Sequence, residues 1–271
     1  MHIPVLLNET IEYLKPAPGK TMVDCTLGFG GHASAILQTG AQVIGIEQDS
    51  EAGYPGIQVI RDNFANLGKF LKEPVDGFLF DLGVSSYQID EPARGFSIRS
   101  DGPLDMRMDK NAKLTAADIV NEYPEEELTR IFFEYGEERF SRRVAKKIGE
   151  TRDRNRIETT GQLKEIVEKA IPTWKKRESV TRIFQALRIA VNDELNNLSK
   201  GLKAAAELLK PQGRIVVISY HSLEDRLVKR FFKEKSDILK AITKKPVTAM
   251  DKEIEINPRA KSAKLRAAEK L

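Results

Sequence analysis

Thr21-Met-Val-Asp-Cys-Thr-Leu-Gly-Phe-Gly-Gly-His32 is a short β-compatible run that breaks into three glycines and enters a helix-compatible segment over residues 33–38. Glycine lacks a Cβ and tolerates positive φ, so such a turn lets backbone N–H groups approach a ligand closely. The helix that follows offers further free N–H donors. The stretch therefore predicts a nucleotide-cofactor loop at the end of the first strand of an α/β sheet.

Two cofactor classes fit these glycines. Gly28-Phe-Gly30-Gly31-His32-Ala33 satisfies G-x-G-x-x-[G/A], and Glu47 follows at about the spacing where a carboxylate holds ribose hydroxyls in a dinucleotide fold. Two further carboxylates shift the balance. Asp24 precedes the glycines, and Asp81 ends a later apolar run, Gly77-Phe-Leu-Phe80. A site lined by Asp24, Glu47 and Asp81 repels a pyrophosphate in a low-dielectric cleft. The same site complements S-adenosylmethionine, which carries an ammonium and a sulfonium and no phosphate.

The chain has 271 residues, 41% hydrophobic and 31% charged, an ordinary globular composition that allows one large or two modest domains. Its single cysteine, Cys25, forms no intrachain disulfide. Its three histidines, His2, His32 and His221, are too scattered for metal-ligand spacing, so no metal is expected. No run approaches eighteen apolar residues, and the N-terminus lacks a basic region before its short apolar stretch. A cytoplasmic protein without membrane association is expected.

Net charge is +4 but uneven: residues 229–271 hold thirteen Lys or Arg against six Asp or Glu, a local +7, leaving about −3 for the rest. A second basic region is Arg139-Phe-Ser-Arg-Arg-Val-Ala-Lys-Lys-Ile148. There Phe140, Val144 and Ile148 recur every four residues and set Arg139, Arg143 and Lys147 on another helix face. Any one such run reads as solvated surface. Two of them beside a cofactor loop point to a polyanionic substrate.

Further strand candidates lie at residues 41–46, 56–60 and 214–219, which with the first run and the one ending at Asp81 makes five. Apolar β-branched runs separated by helices are what a parallel sheet buried on both faces requires. Between the fourth and fifth the pattern turns helical. Thr115-x-x-Asp118 and Thr159-x-x-Gln162 read as capping boxes, Pro124 with Glu125, Glu126 and Glu127 as a first turn, and Gly136 as a stop. The expected organisation is a discontinuous core of residues 1–103 and 183–271 around an inserted helical, substrate-recognising domain at 104–182.

Several strings are long enough to be diagnostic: His2-x-Pro-Val-Leu-Leu-x-Glu9, Gly28-Phe-Gly-Gly-His32, Asp81-Leu-Gly-Val-Ser-Ser86, Arg94-Gly-Phe-Ser97, Asp101-Gly-Pro-Leu-Asp-Met-Arg-Met-Asp109, Tyr135-Gly-Glu-Glu138, Thr181-Arg-x-Phe-Gln-Ala-Leu-Arg188, Ser219-Tyr-His-Ser-Leu-Glu-Asp-Arg226 and Asn257-Pro-Arg259. Across essentially the whole chain they closely resemble the bacterial RsmH (MraW) family. That resemblance implies an α/β, Rossmann-like class I S-adenosylmethionine-dependent methyltransferase core with an inserted all-helical domain. It further implies methylation of the N4 amine of a decoding-centre cytidine in 16S rRNA, on the small ribosomal subunit or a late assembly particle.

Carried onto matching positions, the resemblance implies cofactor contacts at Gly30, Gly31 and His32, at Glu47 on the ribose, at Phe64 beside the adenine, and at Asp81 and Gln88. This chain departs from the family pattern in places. Glu47 stands where many members carry Asp, and residues 49–56 are too few and too rich in breakers for the helix commonly found there. Glu178-Ser179 replaces a His-Pro pair usual before Thr181-Arg182.

An amine delocalised into a pyrimidine ring is a poor nucleophile that needs a hydrogen-bond acceptor and in-line approach to the methyl carbon. Acceptors are available at Asp81 or at the Ser219-Tyr220-His221 strand end, which makes Asp81 and His221 the catalytic candidates, with Tyr220 placed to stack on an extruded base. Cys25, within the first strand, reads as a core residue rather than a nucleophile. Alternatives stand beside these readings. His221 and its neighbours suit a helix cap equally well, and Trp174 either packs or stacks on a base. Arg94, Arg107 and Arg259 hold phosphates or pair with Asp101, Asp105 and Asp109. An NAD-dependent oxidoreductase and a non-catalytic RNA-binding assembly protein remain the competing functions.

Overall fold

In the computed structural model, which describes residues 3–271, the chain opens with α1 (Leu7–Leu14), β1 (Thr21–Asp24), α2 (Gly31–Gln38), β2 (Gln42–Ile46), β3 (Gln58–Ile60), α3 (Leu67–Phe70) and β4 (Val75–Asp81). Six helices follow: α4 (Ser86–Asp90), α5 (Ala116–Glu122), α6 (Glu125–Glu134), α7 (Ser141–Arg152), α8 (Thr160–Ala170) and α9 (Lys176–Asn192). The chain closes with α10 (Glu194–Leu208), β5 (Leu209–Ser219), α11 (Ser222–Glu234), β6 (Leu239–Ala241), α12 (Asp251–Ile256) and β7 (Lys264–Lys270). His2, part of the first quoted string, lies outside the described residues.

The strands form one sheet in the order β3-β2-β1-β4-β5-β7-β6, parallel from β3 to β5, with β7 antiparallel to both its neighbours. Alternate residues of the central strands feed two separate cores. Val23, Phe78, Phe80, Ile215 and Val217 pack with Leu198, Leu202, Phe231 and Phe232 on one face. Met22, Leu79, Val216 and Ile218 pack with Leu6, Leu14 and Ile36 on the other. Burial on both faces is why these strands read as continuous apolar runs. Strand order reverses between β1 and β4, so the crevice at their carboxyl ends is where a sheet of this kind binds its ligand.

β6 and β7 lie beyond the five expected strands. Lys264-Leu-Arg-Ala-Ala-Glu-Lys270 has a helix-favouring composition, yet it pairs along β5 from Arg214↔Glu269 to Ser219↔Lys264. Pairing satisfies an edge that β5 would otherwise expose, which outweighs local propensity. Part of the C-terminal positive charge is used internally as a result: Arg266 pairs with Asp225 at 2.6 Å and Lys270 Nζ donates to the Ala206 carbonyl at 2.8 Å.

The second compact unit spans Val84–Glu194, the first comprising Met1–Gly83 and Leu195–Leu271. The helical unit thus begins earlier and ends later than residues 104–182. Arg94, buried, donates to the carbonyls of Arg107 and Met108 at 3.0 Å, and Gly95 at φ +74° lies so close to Pro103 that a Cβ would collide with its carbonyl. At the other boundary Asn192 accepts from Met108 N–H and donates to the Met106 carbonyl, both at 2.8 Å. Its core is its own, built from i, i+4 pairs such as Leu128 with Phe132, Val144 with Ile148, Leu163 with Val167 and Ile183 with Leu187. Both expected capping boxes form, Thr115 with Asp118 on α5 and Thr159 with Gln162 on α8. Among the described residues no helix is long and apolar enough to cross a membrane.

Candidate active site

At the end of β1 the backbone leaves the sheet through Gly28 at φ +52° and Gly30 at φ +78°, then enters α2 at Gly31. Gly30 admits no side chain: a Cβ there would overlap the ring of Tyr54, whose hydroxyl lies 3.1 Å from Ser34 Oγ. Tyr54 comes from residues 47–57, which contain no helix. Arg61, just past β3, holds that segment by donating to the carbonyls of Asp49 and Ala52.

Three carboxylates converge on the loop from the ends of β1, β2 and β4. Glu47 accepts from Gly28 N–H through Oε2 and from Asp49 N–H through Oε1, both at 2.8 Å. Burial pushes its pKa up in spite of those donors. Asp24, 2% exposed, accepts from Thr26 N–H at 3.1 Å. Burial is the main reason its pKa rises to about 6; His32 and the Thr26 N–H oppose the rise, while Asp81 and Glu47 add to it. Asp24 thus lies within electrostatic reach of both Asp81 and Glu47.

Asp81 is fixed from three sides. Its N–H donates to Thr26 Oγ1 at 2.7 Å, its Oδ1 accepts from the Tyr220 hydroxyl at 2.7 Å, and its Oδ2 lies 3.4 Å from His32 Nδ1. His32 Nε2 donates to the Val5 carbonyl at 2.9 Å, so the buried ring pairs ionically with Asp81 only when both nitrogens carry hydrogen. Burial and then the Asp81 charge push the Tyr220 phenol well above its ordinary range, which keeps it a donor. Thr26 and Tyr54 carry no sequence signal of their roles: Thr26 occupies no motif position between Asp24 and Gly28, and Tyr54 lies among Gly53, Pro55 and Gly56 without periodicity.

The remaining expected residues have the following partners. The Phe64 ring meets Phe80 edge to face at 5.5 Å and leaves no room for a Cβ on Gly201 of α10. Gln88 belongs to the helical unit, where it is buried and closes a capping box with Ser85 at the start of α4. His221 caps α11: Nδ1 accepts from Glu224 N–H at 3.4 Å, and Nε2 lies 3.1 Å from Glu224 Oε1. Glu224 Oε2 in turn accepts from Tyr220 N–H at 2.9 Å, which links His221 through Glu224 to the residue whose hydroxyl holds Asp81. Arg107 pairs with Asp105 at 2.7 Å, the structural alternative of the two read from sequence.

A glycine cradle too tight for a Cβ, beside the Asp24 and Glu47 carboxyls whose pKa values burial raises, fits a cationic nucleoside and would repel a diphosphate. Sheet order and site together define a class I S-adenosylmethionine-dependent methyltransferase. Comparison with known sequences narrows this: the sequence model of the MraW methylase family matches residues 1–271, and the chain belongs to that family. It is 51% identical to the ribosomal RNA small subunit methyltransferase H of Deinococcus deserti, over 100% of this chain and 94% of the relative. The proteins of that name from Carboxydothermus hydrogenoformans and Deinococcus radiodurans are 48% and 49% identical, covering 100% and 99% of this chain and 98% and 89% of their own.

Proposed function

We propose that the protein transfers a methyl group to the N4 amine of a decoding-centre cytidine of 16S rRNA, in the small ribosomal subunit or a late assembly particle. The relatives' names support an RNA of the small subunit as substrate. The observation that carries the choice of atom is the Asp81 carboxylate at the switch-point strand end, which accepts from the Tyr220 hydroxyl while the Asp81 backbone N–H is anchored on Thr26 Oγ1. A carboxylate there is an acceptor for an amine N–H, aligning the nitrogen as its lone pair turns toward the methyl carbon.

S-adenosylmethionine, when bound, supplies a methyl group already activated on a sulfonium. The chain's own task is to orient and to complement charge. In this reading Gly30, Gly31 and His32 line the cofactor, Glu47 takes the ribose hydroxyls on lone pairs left beside its two N–H donors, and Asp24 faces the positive methionine end. Phe64 and Gln88 remain cofactor contacts in the proposal. Asp81 is the acceptor; His221 is a positioning residue that acts through Glu224 and Tyr220.

Methylation at cytosine C5 calls for a thiolate adduct. The only cysteine, Cys25, is buried in the core, where desolvation and then the Asp24 charge hold its pKa well above the ordinary thiol value. That favours the amine. The test is transfer of labelled methyl groups to small subunits lacking the modification, followed by nucleoside mass analysis. N4-methylcytidine is expected; 5-methylcytidine, or binding without any transfer, would overturn the reading.

A further inference from the structure

Trp174 is the only tryptophan of the chain, and it is 76% exposed. It stands in the 3-10 turn Thr173–Lys175 that leads into α9. Lys175 Nζ covers one face of the indole at 5.3 Å from the ring centroid, and that ammonium is itself held 2.6 Å from Glu178. Packing of α9 makes no use of the ring, since the helix buries Val180, Ile183, Phe184 and Leu187 instead. A fold that leaves its largest apolar side chain in water, with one face pre-oriented by a cation, has kept the other face available.

The surroundings are almost uniformly basic. Residues 139–147 and 173–182 contain nine Lys or Arg and one acid, Glu178. Arg139, in the turn before α7, and Arg142, Arg143 and Lys146 on α7 are exposed, and the opposite side of the helix buries Val144 and Ile148. Among the described residues none of these four, nor Arg177, has an ion-pair partner. The two segments share one neighbourhood. Glu178 is held below the ordinary carboxyl range by its Lys175 hydrogen bond, then by the Arg182 charge, and Arg139 of the α7 segment adds to the effect.

We propose that this end of the helical unit grips a single-stranded stretch of RNA outside the target nucleotide, one base stacking on the free face of Trp174 and flanking phosphates resting on Arg139, Arg143 and Arg177. The inference rests on the RNA reading proposed above. An exposed ring among unpaired cations matches a polymer that alternates planar base and phosphate. A duplex would satisfy the cations but bury its base faces in its own stack, so the ring specifies an unpaired base.

Because the indole is unique, its emission reports directly on the site. Titration with a mixed-sequence single-stranded RNA of about 12 nucleotides should quench it saturably, whereas an abasic strand of that length should bind more weakly and leave it unchanged. Trp174→Ala should lower affinity for the labelled RNA, read by anisotropy, about 5- to 100-fold, with Trp174→Phe restoring most of it. The salt dependence of binding and the affinity for S-adenosylmethionine should not change. Unquenched emission at saturation, or parental affinity in Trp174→Ala, overturns the proposal. Methyl transfer without quenching overturns this proposal alone, and quenching without methyl transfer overturns the methyltransferase reading alone.

Discussion

The hydroxyl of Tyr220, just beyond β5, donates to Asp81 Oδ1 at the end of β4 across 2.7 Å, joining the two strand ends that flank the expected substrate position. The relationship makes Tyr220 a support for the proposed acceptor carboxylate, orienting Asp81 through Oδ1 while Oδ2 lies beside His32. Tyr220→Phe should keep the fold and lower single-turnover methyl transfer about 10- to 150-fold, the range expected for one charge-assisted hydrogen bond. An unchanged rate would remove Tyr220 from that role and leave its ring as the part that matters.

Asp24 makes the site's stability depend on pH. Its folded pKa, about 6, lies above the ordinary 3.8, so the native state holds a proton more tightly than the unfolded chain. Stability contributed by this group therefore falls as pH rises from about 4 to 6, and the penalty is complete above that window. Asp24→Asn should raise the stability of the cofactor-free protein at pH 8 by about 2–3 kcal/mol, with little gain below pH 4. Affinity for S-adenosylmethionine should fall in the same variant. Urea unfolding at the two pH values and calorimetry with the cofactor measure both, and a variant no more stable than the parent at pH 8 would contradict the assignment.

Glu47 holds Gly28 and Asp49 N–H, and in the proposed function it also takes the ribose hydroxyls. Glu47→Ala should weaken S-adenosylmethionine by about 1.5–3 kcal/mol and leave RNA affinity nearly unchanged. Equal cofactor titrations of parent and variant would exclude Glu47 from the site.

Cys25 is core, so Cys25→Ala should lower stability by about 1–2 kcal/mol while the folded protein still makes N4-methylcytidine. Loss of transfer in folded, cofactor-binding protein would point to thiol chemistry.

Arg139 and Arg143 carry the phosphate part of the proposed RNA grip, whereas Lys147, read with them from sequence, pairs with Glu150 at 3.0 Å. Replacing both arginines with alanine should flatten the log-log salt dependence of RNA binding by about one to two, since each phosphate contact contributes about −0.7 to −0.9. A slope unchanged from the parent would make this face ordinary solvated surface.

Read alone, the sequence determined the features whose causes are local. The five parallel strands follow from β-branched apolar runs, the cofactor loop from glycines at a strand end, and the caps of α5 and α8 from Thr-x-x-Asp and Thr-x-x-Gln spacing. Asp24, Glu47 and Asp81 were legible because each stands at a strand's carboxyl end, which topology brings to one crevice. Tertiary structure alone decided what depends on a distant partner. Residues 264–270 became a strand because β5 had an edge to fill, and Arg94 went to backbone carbonyls because residues 103–108 fold over it. His221 turned to Glu224 as a helix cap, Tyr54 came to cover Gly30, and Trp174 was left in water because α9 fills its core without it. In each case local propensity or charge allowed several partners, and long-range packing selected one.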